Sequence, residues 1–277
     1  MSEEILKRYK IKAKKSLGQN FLINDEIIEK IANVIDCKNK NIIEVGPWYG
    51  ALTQKLLEKN LKSLTLVELD KDMIKILQDR INLWELNILD KKFEIKNIDI
   101  LKFIPESEEK YSVIANIPYY ITSPILTHFL YKLENKPEEM VILMQKDVWD
   151  KILDTFNSKK IKSSVIGLMM AKKSFVSEEV FVGKQNFVPA PKVESSVLKF
   201  VSHNNFWNVN DEIFLKYIKI WFSSSRKKLI KNLVSWWFEK NKILEIFEKL
   251  DISEQARAEN LGIEKWCELV EELRENI

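Results

Sequence analysis

Short continuous runs of apolar residues recur along the chain, and helical spacing of apolar residues separates at least the first three of them. Continuous apolar runs of this length predict buried strands, whereas apolar residues three or four apart predict helices. The predicted strands lie at 41–45, 64–70, 93–98, 111–115 and 140–144. Later helices are predicted at 124–133, 146–153 and 163–171. Strands that alternate with helices are typical of parallel sheets, so the pattern predicts an α/β fold.

Two later runs predict strands at 175–182 and 193–201. They are close enough in sequence to form an antiparallel pair at one edge of the parallel sheet. Beyond His203 the apolar spacing is helical, with helices expected at 214–222, 227–238, 243–250 and 263–273. We therefore expect two domains, an α/β domain at 1–202 and a small all-helical domain at 203–277.

Polar residues or glycine end four consecutive predicted strands, at Gly46, Glu68, Asp99 and Asn116. Ligands of open α/β sheets bind beyond the carboxyl ends of the strands, so these residues are expected to line one site. Glu68 follows Gly46 at about 20 residues, the spacing at which an acid binds ribose hydroxyls. An acid after a single strand is more often a helix cap. The repeated placement is what predicts a nucleotide-like ligand.

The stretch from Asn116 to Tyr119, Asn-Ile-Pro-Tyr, combines an amide, a stiff turn and an aromatic ring. An amide accepts and donates hydrogen bonds, and Pro118 restricts its own backbone and that of Ile117. An aromatic ring offers a face to a flat base. The stretch can hold the exocyclic amine of a nucleobase, or it can be an ordinary strand followed by a turn.

Composition limits the chemistry that is open to the chain. Among its 277 residues there are only two histidines, His128 and His203, and two cysteines, Cys37 and Cys267. Histidine-based metal or acid–base chemistry is therefore not expected. The few, widely spaced cysteines predict a reduced, cytoplasmic protein. The N-terminus has no apolar signal region, and no apolar run is long enough to cross a bilayer. The tryptophans expected in the helical core are Trp207, Trp221, Trp236, Trp237 and Trp266.

Positive charge is concentrated in three stretches although the net charge is only +3. Basic residues cluster at 7–15, at 151–173 and at 226–231. Clusters of this kind attract a polyanion such as RNA. A solvated lysine-rich surface is the alternative for each cluster by itself.

The motifs together resemble one family, the ribosomal RNA adenine dimethyltransferases that modify two adjacent adenosines of small-subunit rRNA. They are KKSLGQNFL, IIEVGPWYGALT, VELD, NIDIL, ANIPYYITSPIL, MVILMQKDVWDKI, FVPAPKVESSV, SRKKLIKNL and ARAENLGIEKW. The resemblance implies a Rossmann-like class I methyltransferase fold with S-adenosylmethionine as cofactor and no metal. It also implies a monomer without membrane attachment, with rRNA in a pre-assembled small ribosomal subunit as partner.

The resemblance also implies residue roles. The cofactor site would comprise Gln19, Asn20, Leu22, Gly46, Glu68, Asp99 and Asn116. In it Glu68 would hold the ribose diol and Asp99 the adenine amine. The catalytic group would comprise Asn116, Ile117, Pro118, Tyr119 and Phe187. Asn116 and the Ile117 carbonyl would bind the target amine and Tyr119 would stack on the extruded base, with Phe187 either on its other face or in the core. The RNA contacts would be Lys14, Lys15, Arg226, Lys227, Lys228 and Lys231.

The sequence departs from the family pattern at two places. Trp48 stands where most relatives have a third glycine, and we expect it to keep the loop fold and to lie against the methionine end of the cofactor. Residues 160–163, Lys-Ile-Lys-Ser, replace a common Tyr-Gly pair.

Three other functions remain open. The first is methylation of large-subunit rRNA, as in the macrolide-resistance enzymes. The second is a non-catalytic RNA-binding assembly or transcription factor on the same fold. The third is methylation of DNA or a small molecule.

Overall fold

The computed structural model describes residues 2–88, 91–106, 108–157, 159–236 and 238–274. The chain forms two compact units. The first combines Met1–Lys146 with Ser177–Ser202, and the second combines Asp147–Val176 with His203–Ile277. The expected domains, 1–202 and 203–277, therefore share the junction at 202, but residues 147–176 belong with the C-terminal helices.

A buried lysine explains why residues 147–176 join the second unit. The ammonium of Lys172 donates to the carbonyl oxygen of Val209 at 2.8 Å and to that of Phe206 at 3.2 Å, and it pairs with Asp211 at 2.6 Å. A buried charge needs partners of this kind. The sequence signal for helices at 146–153 and 163–171 in this segment says nothing about these distant acceptors.

Within the described residues, seven strands form one sheet in the order β4-β3-β2-β5-β6-β9-β7. The strands are β1 (Phe21–Leu22), β2 (Asn41–Val45), β3 (Ser63–Glu68), β4 (Lys92–Asn97), β5 (Tyr111–Asn116), β6 (Glu139–Gln145), β7 (Ser174–Val182), β8 (Phe187–Val188) and β9 (Ser195–Ser202). The neighbours from β4 to β6 pair in parallel, and β9 is antiparallel to β6. The predicted α/β fold with an antiparallel edge is confirmed. The short pair β1–β8 was not predicted.

Helices connect the strands and form most of the second unit. They are α1 (Ser2–Arg8), α2 (Asp25–Ala32), α3 (Ala51–Leu57), α4 (Lys71–Asn82), α5 (Thr122–Thr127), α6 (Lys146–Phe156), α7 (Val165–Lys173), α8 (Asp211–Phe222), α9 (Leu229–Val234), α10 (Lys240–Lys249) and α11 (Ile263–Arg274). The helix expected at 124–133 is α5 followed by a π-helical turn at His128–Lys132. No helix among the described residues is long and apolar enough to span a membrane.

Side-chain caps fix where the site-bearing helices begin. Asn24 accepts hydrogen bonds from the N–H groups of Glu26 and Ile27, and α2 follows. Asp70 accepts from the N–H of Asp72 at the start of α4, directly after β3. Caps of this kind contribute about 1 kcal/mol each. The cap at Asp70 also fixes the chain just beyond Glu68.

Apolar side chains of the central strands form the main core. Leu64, Leu66, Ile114 and Val141 are buried there against the helices, and burying such a side chain contributes about 1.5–3 kcal/mol.

Two tryptophans fill the core of the second unit. The rings of Trp221 and Trp266 stack with their centroids 5.4 Å apart, as expected for core residues. The expectation is wrong for Trp207 and Trp236, which are 76% and 47% exposed. Trp237 lies outside the described residues.

Candidate active site

The carboxyl ends of the parallel strands surround one pocket in the first unit. Gly46, Glu68, Asp99 and Ile117, from or just beyond four different strands, all line it. The space is about 530 Å³, a figure that includes open solvent at its mouth. The other lining residues are mostly apolar: Leu17, Gln19, Val45, Trp48, Val67, Leu69, Ile98, Ile100, Pro118, Tyr120, Ile121 and Ile125. The geometry suits a flat ring with polar substituents.

Gly46 lets the loop after β2 approach β5 closely. Its φ is +69°, and a Cβ added there would lie 2.8 Å from the carbonyl oxygen of Asn116. Its N–H donates to the carbonyl oxygen of Val67 at 3.0 Å. Both the backbone conformation and the lack of space therefore require glycine.

Glu68 is a buried carboxylate at the pocket wall, only 7% exposed. One oxygen accepts the N–H of Asp70 at 2.8 Å, and the other accepts the N–H of Trp48 at 3.2 Å. Burial raises the pKa of Glu68 to about 7. Each oxygen has a further lone pair, so the carboxylate can still accept hydrogen bonds from hydroxyls.

Asp99 lies half-buried at the end of β4. Its Oδ1 accepts the N–H of Leu101 at 3.0 Å, and the side chain caps a short 3-10 turn at Ile100–Lys102. This single contact fixes the carboxylate orientation and leaves acceptor capacity toward the pocket.

The N-terminal loop closes one side of the pocket through Gln19. The buried amide of Gln19 donates to Asp70 at 3.0 Å, and its oxygen accepts the N–H of Lys14 at 2.9 Å. Asn20 donates to the carbonyl oxygen of Gly18 and does not line the pocket. Leu22 is buried in the core and does not line it either.

Lys14 was predicted to contact RNA, but its ammonium is committed elsewhere. It pairs with Asp70 and Asp72 at 2.6 Å each. These hydrogen bonds raise the pKa of Lys14, the one to Asp70 most. The free ammonium expected from the basic cluster is therefore absent at Lys14, because two carboxylates far along the chain bind it. Lys15 is exposed.

The stretch predicted to be catalytic begins at Asn116, which is half-buried at the end of β5. Its carbonyl oxygen accepts the indole N–H of Trp48 at 2.5 Å. Its side-chain amide forms no hydrogen bond to any other described residue. The amide therefore remains able to bind a ligand.

Tyr119 is held at its far end. Its hydroxyl and that of buried Ser195 are 2.8 Å apart, within hydrogen-bond distance. Burial raises the pKa of the Tyr119 phenol. The bond anchors the phenol end of the ring; the neighbouring Pro118 and Tyr120 line the pocket, and Tyr119 does not.

Phe187 is not placed to stack on a base. It pairs with Leu22 between β8 and β1 and is only 3% exposed, inside the main core. A ring this buried has no free face, so the structure supports the core alternative. Its loop position in the sequence gave no sign of the β1–β8 pair.

Glu44 is a residue that sequence reasoning missed. It lies within β2 and is 1% exposed, and one oxygen accepts the hydroxyl of Thr53 at 2.7 Å. The other oxygen has no hydrogen-bond partner among the described residues. Burial raises the pKa of Glu44 to about 8. It lines a second, smaller space with Gly46 and Asn116. An acid inside an apolar run was the available signal.

The second unit carries an exposed basic surface. Arg226, Lys227 and Lys231 are exposed, and none of the three pairs with a carboxylate of another described residue. Lys228 is half-buried, and its backbone forms a bridge with Arg257. This extended bridge explains why α9 begins at Leu229 and not at 227; the helix also ends earlier than expected, at Val234 in place of 238.

A second basic stretch adjoins the same segment of the chain. The backbone N–H of Ser163 donates to the carbonyl oxygen of Glu259 at 2.8 Å, and its hydroxyl donates to that of Leu261 at 2.6 Å. The lysines just before Ser163 are exposed: Lys159, Lys160 and Lys162. Residues 159–162 and 226–231 therefore both flank residues 256–261.

Metal chemistry gains no support from the described part of the chain. No group of three His, Cys, Asp or Glu side chains there is arranged to hold a metal ion.

Solved structures share the fold. A dimethyladenosine transferase from Plasmodium falciparum matches with a TM-score of 0.76 and 24% identity, over 92% of this chain and 98% of that one. A 23S rRNA methyltransferase matches with a TM-score of 0.69 and 21% identity, over 92% of this chain and 100% of that one. At these sequence identities the matches show only that the fold is shared.

Sequence relatives are closer. The chain is 38% identical over 267 residues to the ribosomal RNA small subunit methyltransferase A of Fusobacterium nucleatum, covering 94% of this chain and 97% of that one. It is 36% identical over 270 residues to the protein of that name from Mycoplasmopsis pulmonis, covering 95% of this chain and 100% of that one. The family model described as ribosomal RNA adenine dimethylase matches residues 10–275. The chain therefore belongs to the ribosomal RNA adenine dimethylase family.

Proposed function

We propose that the protein transfers methyl groups from S-adenosylmethionine to the N6 amines of two adjacent adenosines in small-subunit rRNA, giving N6,N6-dimethyladenosine. Family membership and the names of the curated relatives support this proposal. The observation that carries it is the side-chain amide of Asn116. It is free of hydrogen bonds to the described protein, at a strand end beside a pocket that contains two carboxylates.

The pocket fits the cofactor. The carboxylate of Glu68 suits a ribose diol and that of Asp99 suits an adenine amine, while the apolar lining suits the adenine ring. Gly46 lets the loop after β2 lie close to the Asn116 carbonyl, where a Cβ would not fit, and Gly46 lines the pocket without a side chain. Bound there, S-adenosylmethionine supplies a methyl group on a positively charged sulfonium.

The chain's own contribution is to hold the adenine amine. The amide oxygen of Asn116 accepts one N–H, and the carbonyl of Ile117 accepts the other. The nitrogen lone pair then faces the methyl carbon. The bound cofactor would supply the methyl group to the nitrogen, the electrons of its C–S bond would stay on sulfur, and the extra proton would leave the nitrogen. No side-chain base is needed before transfer. Positioning of this kind can contribute up to about 7–11 kcal/mol.

Tyr119 provides the stacking face for the extruded adenine. The bond between its hydroxyl and Ser195 restricts rotation of the ring before the base arrives. A base taken out of an RNA helix needs such a surface to replace its lost stacking. Phe187 is not part of this proposal.

RNA binds through phosphate contacts on the second unit. Exposed Arg226, Lys227 and Lys231 supply unpaired charge, and Lys15 adds charge in the first unit. The lysines at 159–162 extend the surface of the second unit along residues 256–261. Lys228 contributes through its half-buried side chain. Lys14 is excluded because it pairs with Asp70 and Asp72.

The substrate is rRNA in a pre-assembled small subunit, and the protein acts on it as a cytoplasmic monomer. Both cysteines are free and buried, in keeping with a reducing compartment.

The test of the proposed function is a methyl-transfer assay. Cofactor with a labelled methyl group is incubated with small subunits, protein-free small-subunit rRNA and large subunits from an unmethylated strain, and the modified bases are mapped.

The proposal predicts label on two adjacent adenosines of the small subunit and much less on the protein-free RNA. Label on large-subunit rRNA alone contradicts it and supports the macrolide-resistance type of activity. No transfer to any RNA supports a non-catalytic role. Sedimentation of the protein tests the monomer.

A further inference from the structure

Trp48 joins the cofactor side of the pocket to the catalytic strand end. Its backbone N–H donates to Oε2 of Glu68 at 3.2 Å, and its indole N–H donates to the carbonyl oxygen of Asn116 at 2.5 Å. The residue is buried; the bond to Glu68 is shielded from water, and the bond to the half-buried Asn116 is partly shielded. One residue thus links the ends of β3 and β5.

The backbone of Trp48 adopts a conformation that favours glycine. Its φ is +55°, in the left-handed region that is unfavourable for a residue with a side chain. The ring contacts Phe21 edge-to-face with centroids 5.3 Å apart and joins a small cluster with Tyr49 and Met73. Contacts with the ring and both N–H groups therefore offset the backbone cost, and they hold the indole in one place.

The indole also lies where the two spaces of the site meet. Trp48 and Gly46 line both the larger pocket and the smaller one. A Cβ on Gly46 would lie 2.8 Å from the Asn116 carbonyl oxygen and 3.5 Å from the indole nitrogen. Donor and acceptor therefore meet beside Gly46, next to the residue that binds the target amine.

We infer that Trp48 is a positioning residue for methyl transfer. The Asn116 carbonyl belongs to the peptide plane that joins Asn116 to Ile117, so a donor on this oxygen restrains rotation on both sides of it. That restraint fixes the backbone from which the Asn116 side chain and the Ile117 carbonyl project, the two groups assigned to the target amine. The inference rests on the proposed function for the identity of that amine.

The test compares Trp48→Phe with Trp84→Phe. Phenylalanine keeps a ring against Phe21 but has no N–H. Trp84 is a matched control because it also has a positive φ, +61°, but is 70% exposed. Single-turnover methyl transfer is measured at saturating cofactor and RNA, together with S-adenosylhomocysteine affinity and the melting temperature.

Trp48→Phe is expected to slow the single turnover about tenfold. The S-adenosylhomocysteine affinity should stay within about threefold and the melting temperature within about 2 °C, because the ring remains. Trp84→Phe should match wild type in all three. An unchanged rate in Trp48→Phe overturns the inference. An equal loss in rate and cofactor affinity also overturns it, since that result describes a cofactor contact.

A measurement without substrate keeps this test separate from the proposed function. The indole N–H of Trp48 is identified in the NMR spectrum by its loss in Trp48→Phe. It should exchange with water at least about 100-fold more slowly than that of Trp84, because a buried hydrogen bond must open first. Equal exchange rates overturn the inference. Inactive wild-type enzyme with a protected Trp48 indole would count against the proposed function and leave the Trp48–Asn116 bond supported.

Discussion

The side-chain amide of Gln19 donates to the carboxylate of Asp70 at 3.0 Å, and both side chains are buried. Asp70 is also the cap of α4, and its N–H binds Glu68 at 2.8 Å. The N-terminal loop is therefore fastened to the strand end that carries the proposed ribose-binding acid. Lys14 completes this connection through its ion pair with Asp70.

Lys14→Ala should weaken S-adenosylhomocysteine binding about tenfold, because the loop that carries Gln19 loses its ion pair. Lys15→Ala is the matched control, because Lys15 is next to Lys14 in the sequence but its side chain is exposed. It should leave cofactor affinity unchanged and weaken RNA binding. Calorimetric titration with S-adenosylhomocysteine and RNA binding at two salt concentrations measure both effects. Equal cofactor affinity in the two variants would show that the ion pair does not hold the loop.

Glu44 makes the folded state sensitive to high pH. Burial raises its pKa from 4.5 to about 8, so the folded chain keeps this proton at a pH where the unfolded chain loses it. The resulting stabilisation is fully present below about pH 4.5 and is lost as pH rises through about 8.

Glu44→Gln removes this titration and keeps an acceptor for Thr53. Above about pH 8 the variant should be more stable than wild type by on the order of 2 kcal/mol, and the difference should shrink toward pH 5. Exposed Glu26→Gln serves as the control and should follow wild type. Urea unfolding across this pH range measures the free energy of unfolding of wild type and both variants. A constant offset between Glu44→Gln and wild type would contradict the assigned titration.

The two aromatic residues first assigned to the base should behave differently. Tyr119→Phe keeps the ring but loses the bond to Ser195, and should slow single-turnover methyl transfer about threefold to tenfold. Phe187→Leu should cost about 1–3 kcal/mol of stability with an unchanged rate, because Phe187 is a core residue. Rates and melting temperatures separate the two effects. A rate loss in Phe187→Leu without a stability loss would restore its stacking role.

The lysines at 159–162 should contribute to RNA binding as strongly as the predicted basic cluster. Replacing Lys159, Lys160 and Lys162 by alanine should weaken binding and reduce the salt slope by about 1–3, one unit for each lost phosphate contact. Replacing three other exposed lysines of the second unit by alanine, Lys216, Lys219 and Lys242, is the control for charge alone. Filter binding to small-subunit rRNA over a range of salt concentrations measures the slope. An unchanged slope in the triple variant would mean that these lysines only face solvent.

The strand-end residues could be predicted from sequence because their positions follow from local patterns. Each apolar run ends at a residue whose place relative to its neighbours is set by parallel pairing. Lys14 and Lys172 could not be read this way, because their acceptors Asp70 and Asp211 are distant in sequence. Trp207 could not be placed either, because it lies in the turn before α8, where the apolar spacing of a helix does not apply, and it is 76% exposed.

The most direct test of the role of the Asn116 amide is single-turnover methyl transfer by Asn116→Ala on unmethylated small subunits. Asn41→Ala, at the opposite end of the sheet, is the control. We expect Asn116→Ala to transfer methyl groups at a rate at least about 100-fold below wild type, with cofactor and RNA affinities within about threefold of wild type. Asn41→Ala should keep the wild-type rate. A rate near wild type in Asn116→Ala would contradict the claim that this amide positions the adenine amine.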